Sequence, residues 1–280
     1  TPSREPRRLT IGLEFGTSTG KCLVHTIMGR EQAENRFLCP ISGKDLFSTQ
    51  AWQFEDRVHL SNRPDGPAQP LDSPKIAMRN LLLDKPGARF DPRDPSPDPK
   101  ALCWALLSHC TQEIRQVVEQ RFPHHRFSYS WDQVQWSMGA PLDGMMDREA
   151  RHQYAALLWS AVHHPLAQAP LHLDPMGLHD NFDMLPSPTE IEEAHGVIAA
   201  DNCFIHPEAM VAINTFLQLG GNLENGIYLV ADIGAGTTDF AFFRFTDYLE
   251  KNVAFYGSAS VLAGGNDLAS AIAQVGETGL

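Results

Sequence analysis

The clearest pattern along the chain is a pair of short apolar runs joined by a turn rich in glycine and threonine. It occurs twice, over residues 9–28 and over residues 227–245. Apolar runs this short, bounded by turn residues, predict two β-strands joined by a tight turn. An acidic residue stands near the end of the first strand each time, Glu14 in one pair and Asp232 in the other. We therefore predict two β-hairpins of the same design.

The spacing of apolar residues predicts further strands between the two hairpins. Strand-like patterns lie near Phe37 and over residues 47–60. Apolar and polar positions alternate through Val134, Trp136 and Met138. A period of two predicts a strand with one buried face.

Prolines and caps mark where loops end and helices begin. Residues 62–100 are rich in proline, and residues 91–99 are predicted to be a surface loop or linker because proline removes donors and fixes φ. Asp98 as a cap with Pro99 at the first helical position predicts a helix directly afterwards. We expect one apolar stripe along it, made of Cys103, Leu106, Leu107, Cys110, Ile114, Val117 and Val118.

Two more helices follow from capping signals. Asp147 is predicted to cap a helix that runs to Val162. Residues 187–190 form a capping box with proline at the first helical position, which predicts a helix over residues 191–200. Residues 165–187, rich in Pro, His and Asp, are predicted to be a loop.

The composition is that of an acidic chain able to form a sizeable core. Its 280 residues, 42% of them hydrophobic, are enough for one large or two small domains. The net charge of -12 argues against nucleic acid or a membrane surface as a partner, because phosphate backbones need a basic face. No apolar run is long enough to span a membrane, and residues 1–8 lack the apolar core of a signal peptide. We expect a cytoplasmic location.

The cysteines and histidines do not predict a structural bridge or a metal site. The five cysteines are odd in number and form no CxxC pair, which argues against a disulfide framework and a zinc site. Cys103 and Cys110 are expected to pack in the core. The histidines lack the spacing of a metal site and are interpreted as polar residues of loops and helix ends.

Both hairpin turns have the residues that suit a phosphate group. Glycine allows close approach and positive φ, which turns successive N–H groups toward an anion, and threonine hydroxyls add donors. Gly20-Lys21 suggests a Walker A loop, but Phe15 stands where that motif needs glycine and Cys22 where it needs Ser or Thr. An ordinary turn is the alternative for either hairpin alone. Taken together, the two hairpins are predicted to face one polyphosphate.

The motifs and their order resemble the actin-like ATPase superfamily and, within it, the DnaK-type (heat-shock protein 70-like) chaperones. The two hairpins are similar to that family's two phosphate loops. Further segments follow in family order, at residues 135–141 followed by 147–151, then at residues 206–212 and 262–268. The resemblance covers most of residues 9–273. It implies an α/β protein with the actin-like (ribonuclease H-like) ATPase fold, in which the first lobe is complete and the second lobe begins.

The resemblance also implies how the chain is divided. Residues 1–50 and 128–222 would form the core of the first lobe, which resembles subdomain IA. Residues 51–127 would form an insertion with proline-rich loops, which resembles subdomain IB. Residues 223–280 would begin the second lobe, which resembles subdomain IIA. In the family, a helical subdomain and a glycine-rich motif that grips adenosine follow this point, so we expect the chain to be truncated.

The implied activity is binding and hydrolysis of ATP with Mg²⁺. Asp232 and Glu14 would hold the metal through its water molecules, and Glu208 would orient the attacking water. Lys75 is the candidate for a lysine that contacts the phosphates. The implied phosphate-binding residues are Gly16, Thr17, Ser18, Thr19, Gly234, Ala235, Gly236, Thr237, Thr238, Gly264 and Gly265. The alternatives are that Asp232 is a turn acid and that Glu208 is a charge favoured by a helix dipole.

One departure from the family pattern affects the expected rate. Glu14 stands where the family has aspartate, and the added methylene misplaces a carboxylate that Mg²⁺ needs in near-ideal geometry. We therefore expect slow hydrolysis in a chaperone-like or regulatory protein with an unidentified protein client. Two alternatives remain: a nucleotide-binding scaffold such as a filament-forming segregation protein, and a sugar or acid kinase of the same fold.

Overall fold

The computed structural model of the chain is a mixed α/β protein, which confirms the predicted class. Its description covers residues 6–16, 18–28, 33–55, 57–60, 63–71, 73–82, 97–123, 134–140, 148–165, 172–187, 189–190, 193, 202–208, 210–211, 213, 224–247, 251–261, 263–265, 268–269 and 272. These residues form three sheets and four named helices.

The strands and helices have the following bounds. The strands are β1 (Pro6–Phe15), β2 (Thr19–Met28), β3 (Ala33–Leu38), β4 (Leu46–Ser48), β5 (Ala51–Phe54), β6 (Arg57–Leu60), β7 (Gln69–Pro70), β8 (Gln135–Ala140), β9 (His172–Leu173), β10 (Cys203–Pro207), β11 (Gly226–Ile233), β12 (Thr238–Asp247) and β13 (Lys251–Val261). The helices are α1 (Pro74–Leu82), α2 (Pro99–Arg121), α3 (Arg148–His163) and α4 (Pro175–Asp183).

The largest sheet is mixed and contains the first hairpin. Its strand order is β10-β8-β1-β2-β3, and β4 also pairs with β2. Strand β1 runs antiparallel to β2 and parallel to β8, and β2 runs antiparallel to β3 and β4. The predicted strands near Phe37 and over β8 are confirmed, and β8 alternates between buried and half-buried side chains as expected.

Two smaller antiparallel sheets complete the strands. The order β7-β5-β6-β9 confirms strand structure within residues 47–60 and adds two short edge strands. The order β11-β12-β13 contains the second predicted hairpin, which is confirmed. Ala241, Phe243 and Phe245 lie on one face of this sheet and pack with Ile213 in a small core.

Helix α2 begins as predicted but is buried more completely than expected. The Asp98 carboxylate accepts a hydrogen bond from the Lys100 amide at 2.8 Å, and Pro99 occupies the first helical position. The sequence predicts one apolar stripe, yet every side chain from Ala101 to Thr111 is buried. The Thr111 hydroxyl donates to the Ala161 carbonyl of α3 at 3.0 Å. The first half of α2 is therefore a core helix, and only its second half is amphipathic.

The loop predicted over residues 165–187 is wrong, because it contains α4 and β9. Asp174 caps α4 by accepting from the Gly177 amide at 3.0 Å, and Pro175 takes the first helical position. Buried Leu178 lies on α4, and Phe182 lies 6.1 Å from Trp104 of α2 between ring centroids. The capping signal of Asp174 and Pro175 and the packing of Leu178 and Phe182 therefore produce a helix in spite of the polar composition of this segment.

Other local predictions have mixed outcomes. The capping box is confirmed, since the Ser187 amide donates to Glu190 at 2.7 Å and the Glu190 amide donates to the Ser187 hydroxyl at 3.3 Å. Asp147 and most of residues 191–200 lie outside the described residues. Cys103 and Cys110 are buried in the core, as predicted, and burial raises the pKa of the Cys103 thiol to about 12.

The chain divides into two compact units. One unit comprises residues 1–138 and 152–205, and the other comprises residues 139–151 and 206–280. The division into lobes and an insertion stays a prediction. In the part of the chain that the structure describes, no helix has both the length and the apolar character needed to cross a membrane.

Candidate functional site

The first hairpin places its turn between the paired residues Phe15 and Gly20. Glu14 pairs with Lys21 in the next position of the same antiparallel register. Phe15 is buried and anchors the end of β1 in the core of its unit. Ser18 and Thr19 lie in or next to the turn as predicted, and Thr17 lies outside the described residues.

Thr49, which the sequence did not single out, fixes the first turn. Its hydroxyl donates to the Gly16 carbonyl at 2.7 Å, and its amide donates to the Ser18 carbonyl at 3.1 Å. Thr49 is fully buried. Because two hydrogen bonds from one buried residue hold carbonyls two positions apart, the turn has a defined backbone path. No local motif signals this role, since Thr49 lies 33 residues beyond Gly16.

Glycine is required on both sides of this turn. A methyl group at Gly16 would collide with the Thr19 carbonyl oxygen. A methyl group at Gly20 would lie 2.7 Å from the Glu14 carbonyl oxygen and would also meet the Phe47 ring. Real side chains do not come this close to backbone atoms, so the turn closes tightly only without them.

The carboxylate of Glu14 is engaged in an ion pair. Its Oε2 lies 2.6 Å from the Lys21 Nζ, and each side chain is about half exposed, at 54% and 53%. The two residues stand directly opposite each other on neighbouring strands, where side chains share one face. Glu14, the acid expected to bind the metal at the first hairpin, is therefore paired with the ammonium group of Lys21.

The second hairpin closes its turn with internal hydrogen bonds. Ile233 pairs with Thr238, and the Gly234 amide donates to the Thr237 carbonyl at 2.8 Å. The buried Thr237 hydroxyl donates to Asp239 Oδ2 at 3.3 Å. Gly234 N–H and the Thr237 hydroxyl, two of the predicted phosphate donors, therefore hold the turn itself.

Gly264 and Gly265, two of the implied phosphate-binding residues, lie against this turn. The Gly265 amide donates to the Gly234 carbonyl at 2.9 Å, and the Thr238 hydroxyl donates to the Ala263 carbonyl at 2.6 Å. A methyl group at Gly264 would lie 2.6 Å from the backbone of both Gly234 and Ala235. Only glycine allows these two backbone segments to come so close together.

A helix starts at this contact. Gly265, Leu268, Ala269 and Ile272 are helical, and the Leu268 amide donates to the Gly264 carbonyl at 3.3 Å. The N-terminal end of a helix carries a partial positive charge and favours anions. The second turn thus lies beside a helix end of favourable sign.

Two backbone amides remain at the tip of the second turn. Within the described residues, the N–H groups of Ala235 and Gly236 have no protein acceptor, and both residues are partly exposed. Consecutive amides in a tight turn form a concave donor site for anions. This pair is the part of the predicted phosphate cradle that the internal hydrogen bonds leave available.

Two carboxylates face each other next to the same turn. Asp232 pairs with Asp239 across β11 and β12; Asp232 is exposed and Asp239 is buried. Side chains in directly opposite positions of an antiparallel pair lie close together on one face of the sheet. Oxygen ligands of this kind suit Mg²⁺, which often binds through only one or two carboxylates.

Glu208 lies at the start of a helix that follows β10. It is half-buried, and a methyl group at Gly139 of β8 would lie 3.3 Å from its Cγ. Gly139 therefore leaves the space that the Glu208 side chain occupies. Nearby, partial burial and the Arg151 guanidinium lower the pKa of His206.

Lys75, the candidate phosphate lysine, lies at the start of α1. Only 4% of its surface is exposed. It belongs to the unit that holds the first hairpin, whereas Glu208, the second hairpin and Gly264 belong to the other unit. Its predicted role stays a prediction.

The residues present fit a phosphate group at the second turn. At this turn the backbone of Gly264 packs closely against the backbone of Gly234, and the amides of Ala235 and Gly236 are available. The start of a helix and the acids Asp232 and Asp239 lie next to the turn. The chain matches no family model, and a search of the curated proteins returns no match.

Proposed function

We propose that this chain is an ATP-binding and slowly ATP-hydrolysing module of the actin-like ATPase superfamily, most similar to its DnaK-type branch. The observation that carries the proposal is the second hairpin turn. Its glycine backbone is closed against Gly264 and Gly265, and the amides of Ala235 and Gly236 remain available.

The electrostatics of this turn favour a polyphosphate. Two backbone amides and a helix N-terminus offer positive partial charge without a basic side chain. Such donors are fixed in place by the hydrogen bonds of Gly234 and Gly265, so little ordering cost is added on binding. This explains how a chain of net charge -12 can bind a polyanion at one point.

The acids at the second hairpin are suited to the divalent cation that accompanies ATP. Asp232 is exposed and would hold Mg²⁺ through its water molecules, with the Asp239 carboxylate directly opposite. When bound, the cation would offset charge on the phosphate oxygens.

Glu208 is the proposed residue for positioning the attacking water. A carboxylate can do this only if its side chain is held in place. The close approach of the Gly139 backbone to the Glu208 side chain supports such a restraint. A cytoplasmic location and a protein partner belong to the same proposal; the protein partner rests on the resemblance.

The proposal is tested by a matched pair of glycine substitutions. Gly264→Ala places a methyl group 2.6 Å from the backbone of Ala235, whereas Gly257→Ala on β13 places one in open space. We expect calorimetry to show ATP·Mg²⁺ binding to the unaltered chain and to the Gly257 variant, with a loss of at least about 10-fold in affinity for the Gly264 variant. Circular dichroism checks that both variants fold.

The outcomes separate the proposed function from its alternatives. Equal affinity for both variants would mean that the second turn is not the phosphate site. Turnover that appears only when a small hydroxylated substrate is added would favour a sugar or acid kinase. A sedimentation coefficient that increases with protein concentration in the presence of ATP would favour a filament-forming scaffold.

A further inference from the structure

We propose that Ser42 is a nucleophile activated by His109 and that the pair hydrolyses small uncharged carboxylic esters. Both residues, with Gly43 and Glu113, lie within the unit that contains the first hairpin. ATP takes no part in this activity, so its test is independent of the test of the proposed function.

Ser42 lies in a tight turn whose backbone conformation is unusual for a residue with a side chain. Ile41 and Lys44 close the turn through two backbone hydrogen bonds, of 3.0 and 3.1 Å. Between them, Ser42 has a φ of 51° and Gly43 has a φ of 73°. Positive φ costs free energy for a residue such as serine, and residues held in this region cluster at active sites. The strained turn presents the side chain of Ser42, an exposed residue, in a defined direction.

His109 of α2 is placed to act as the base for the Ser42 hydroxyl. The Ser42 Oγ lies 3.2 Å from His109 Nε2, which is the separation expected of a nucleophile and its base. His109 is only 7% exposed; burial lowers its pKa, and the Glu113 carboxylate opposes that shift. A histidine that is neutral at pH 7 has one ring nitrogen available to accept a proton.

Glu113 holds the serine turn against α2. It follows His109 by one helical turn, so the two side chains lie on the same face of the helix. The Glu113 Oε2 accepts a hydrogen bond from the Ser42 amide at 3.1 Å. Ile41, the residue before Ser42, is fully buried. Ser42 is therefore held on α2 through both its amide and its hydroxyl, next to a buried anchor.

The Gly43 amide is available for the negative charge that develops during acyl transfer. Within the described residues it has no protein acceptor, and a methyl group at Gly43 would meet nothing within 4 Å. The N–H of the residue after a nucleophilic serine is a common donor to the oxyanion. The open space admits a small ester, and the Glu113 carboxylate beside the turn makes an uncharged ester more favourable than an anionic one.

Ester and water are the only reactants that this chemistry needs. The Ser42 oxygen attacks the carbonyl carbon while His109 Nε2 takes the hydroxyl proton. The bond to the leaving alkoxide then breaks, and His109 gives the proton to that oxygen. Water attacks the acyl group on Ser42, and His109 accepts a proton from the water and returns it to Ser42 Oγ as the carboxylic acid leaves.

Labelling with an alkyl fluorophosphonate, followed by mass spectrometry, tests the nucleophile directly. The serine oxygen displaces fluoride from phosphorus, so the adduct stays on the residue that reacted. We expect the adduct on Ser42. Ser187 is the matched control, since it is an exposed serine of the same unit whose hydroxyl accepts from the Glu190 amide, and it should remain unlabelled.

Substitutions of the two partners test their separate roles. His109→Gln keeps a polar side chain that cannot take the proton, so labelling of Ser42 should become roughly 10²- to 10⁴-fold slower. Glu113→Ala should slow labelling by about 10-fold, and Glu113→Gln, which keeps an acceptor for the Ser42 amide, should restore the rate to within about 3-fold. Circular dichroism checks that each variant folds.

Hydrolysis of p-nitrophenyl acetate tests the pair as a unit. Ser42→Ala, His109→Gln and the double variant should lose the same turnover, because residues that act together are not additive. Unchanged turnover in Ser42→Ala would assign the hydrolysis to another residue and overturn the proposal.

The labelling results decide the remaining outcomes. If the folded, unaltered chain labels Ser42 no faster than Ser187, the serine is not activated and the proposal fails; this comparison needs no variant. Equally fast labelling in folded His109→Gln would overturn the role of His109 as the base.

Discussion

Replacing Thr49 by valine tests whether the first turn is held from a distance. The substitution keeps the side-chain shape but removes the hydroxyl that donates to the Gly16 carbonyl at 2.7 Å. Thr49 is fully buried, so water cannot replace this donor easily. The lost hydrogen bond and the carbonyl left without its donor together cost about 1–2 kcal/mol.

The same energy should appear in phosphate binding if the ordered turn is the binding-competent form. A cost of about 1–2 kcal/mol corresponds to a rise of roughly 5- to 30-fold in the dissociation constant for tripolyphosphate. Thr49→Ser is the matched control: it loses one buried methyl, about 0.8 kcal/mol of stability, but keeps the donor. Urea unfolding and calorimetry measure the two effects separately. Equal affinities for the valine and serine variants would refute the claim that Thr49 organises the site.

Two further predictions concern other parts of the chain. Gly139→Ala would press a methyl group against Glu208 Cγ, and we expect ATP turnover to fall roughly 10- to 100-fold while ATP binding is kept. Gly12→Ala is the control, because its methyl group would lie 3.8 Å from its nearest neighbour. Equal turnover by the two variants would contradict the role of Glu208. Burial lowers the pKa of His109, so this side chain binds a proton more readily in the unfolded chain than in the folded one. The free energy of unfolding should therefore be highest above about pH 6.5 and decrease as the pH falls below that value. His109→Gln should make the urea midpoint less dependent on pH. If the urea midpoint of the His109 variant changed with pH as steeply as that of the unaltered chain, the role of His109 would be refuted.

The elements that could be predicted from the sequence are those encoded locally. Each hairpin has its glycine turn between the two strands that it joins. Two adjacent residues, Asp98 as the cap and Pro99 at the first helical position, signal the start of α2. Helix α4 carries the same signal at Asp174-Pro175, but the polar and proline-rich composition around it favoured a loop. What decides that helix is the packing of its apolar residues against α2, which the local sequence does not contain.

Candidate residues could be predicted from the sequence where a recognisable motif contains them, and not where a residue outside any motif acts across the fold. Gly234 and Gly264 follow from the motif resemblance, and their contact is observed. Thr49 acts on a turn 33 residues away, so no spacing rule points to it. Lys21 was visible as part of the hairpin, and the strand register alone would have placed it opposite Glu14.

The central claim is that the second turn binds the phosphates of ATP through its backbone amides. Amide-resolved NMR of the isotope-labelled chain, titrated with ATP·Mg²⁺, tests it most directly. We expect saturable shifts that are largest at the amides of Ala235 and Gly236, with smaller shifts at Gly265 and little change at Gly257. Saturable binding that leaves the amides of Ala235 and Gly236 unshifted would contradict the account.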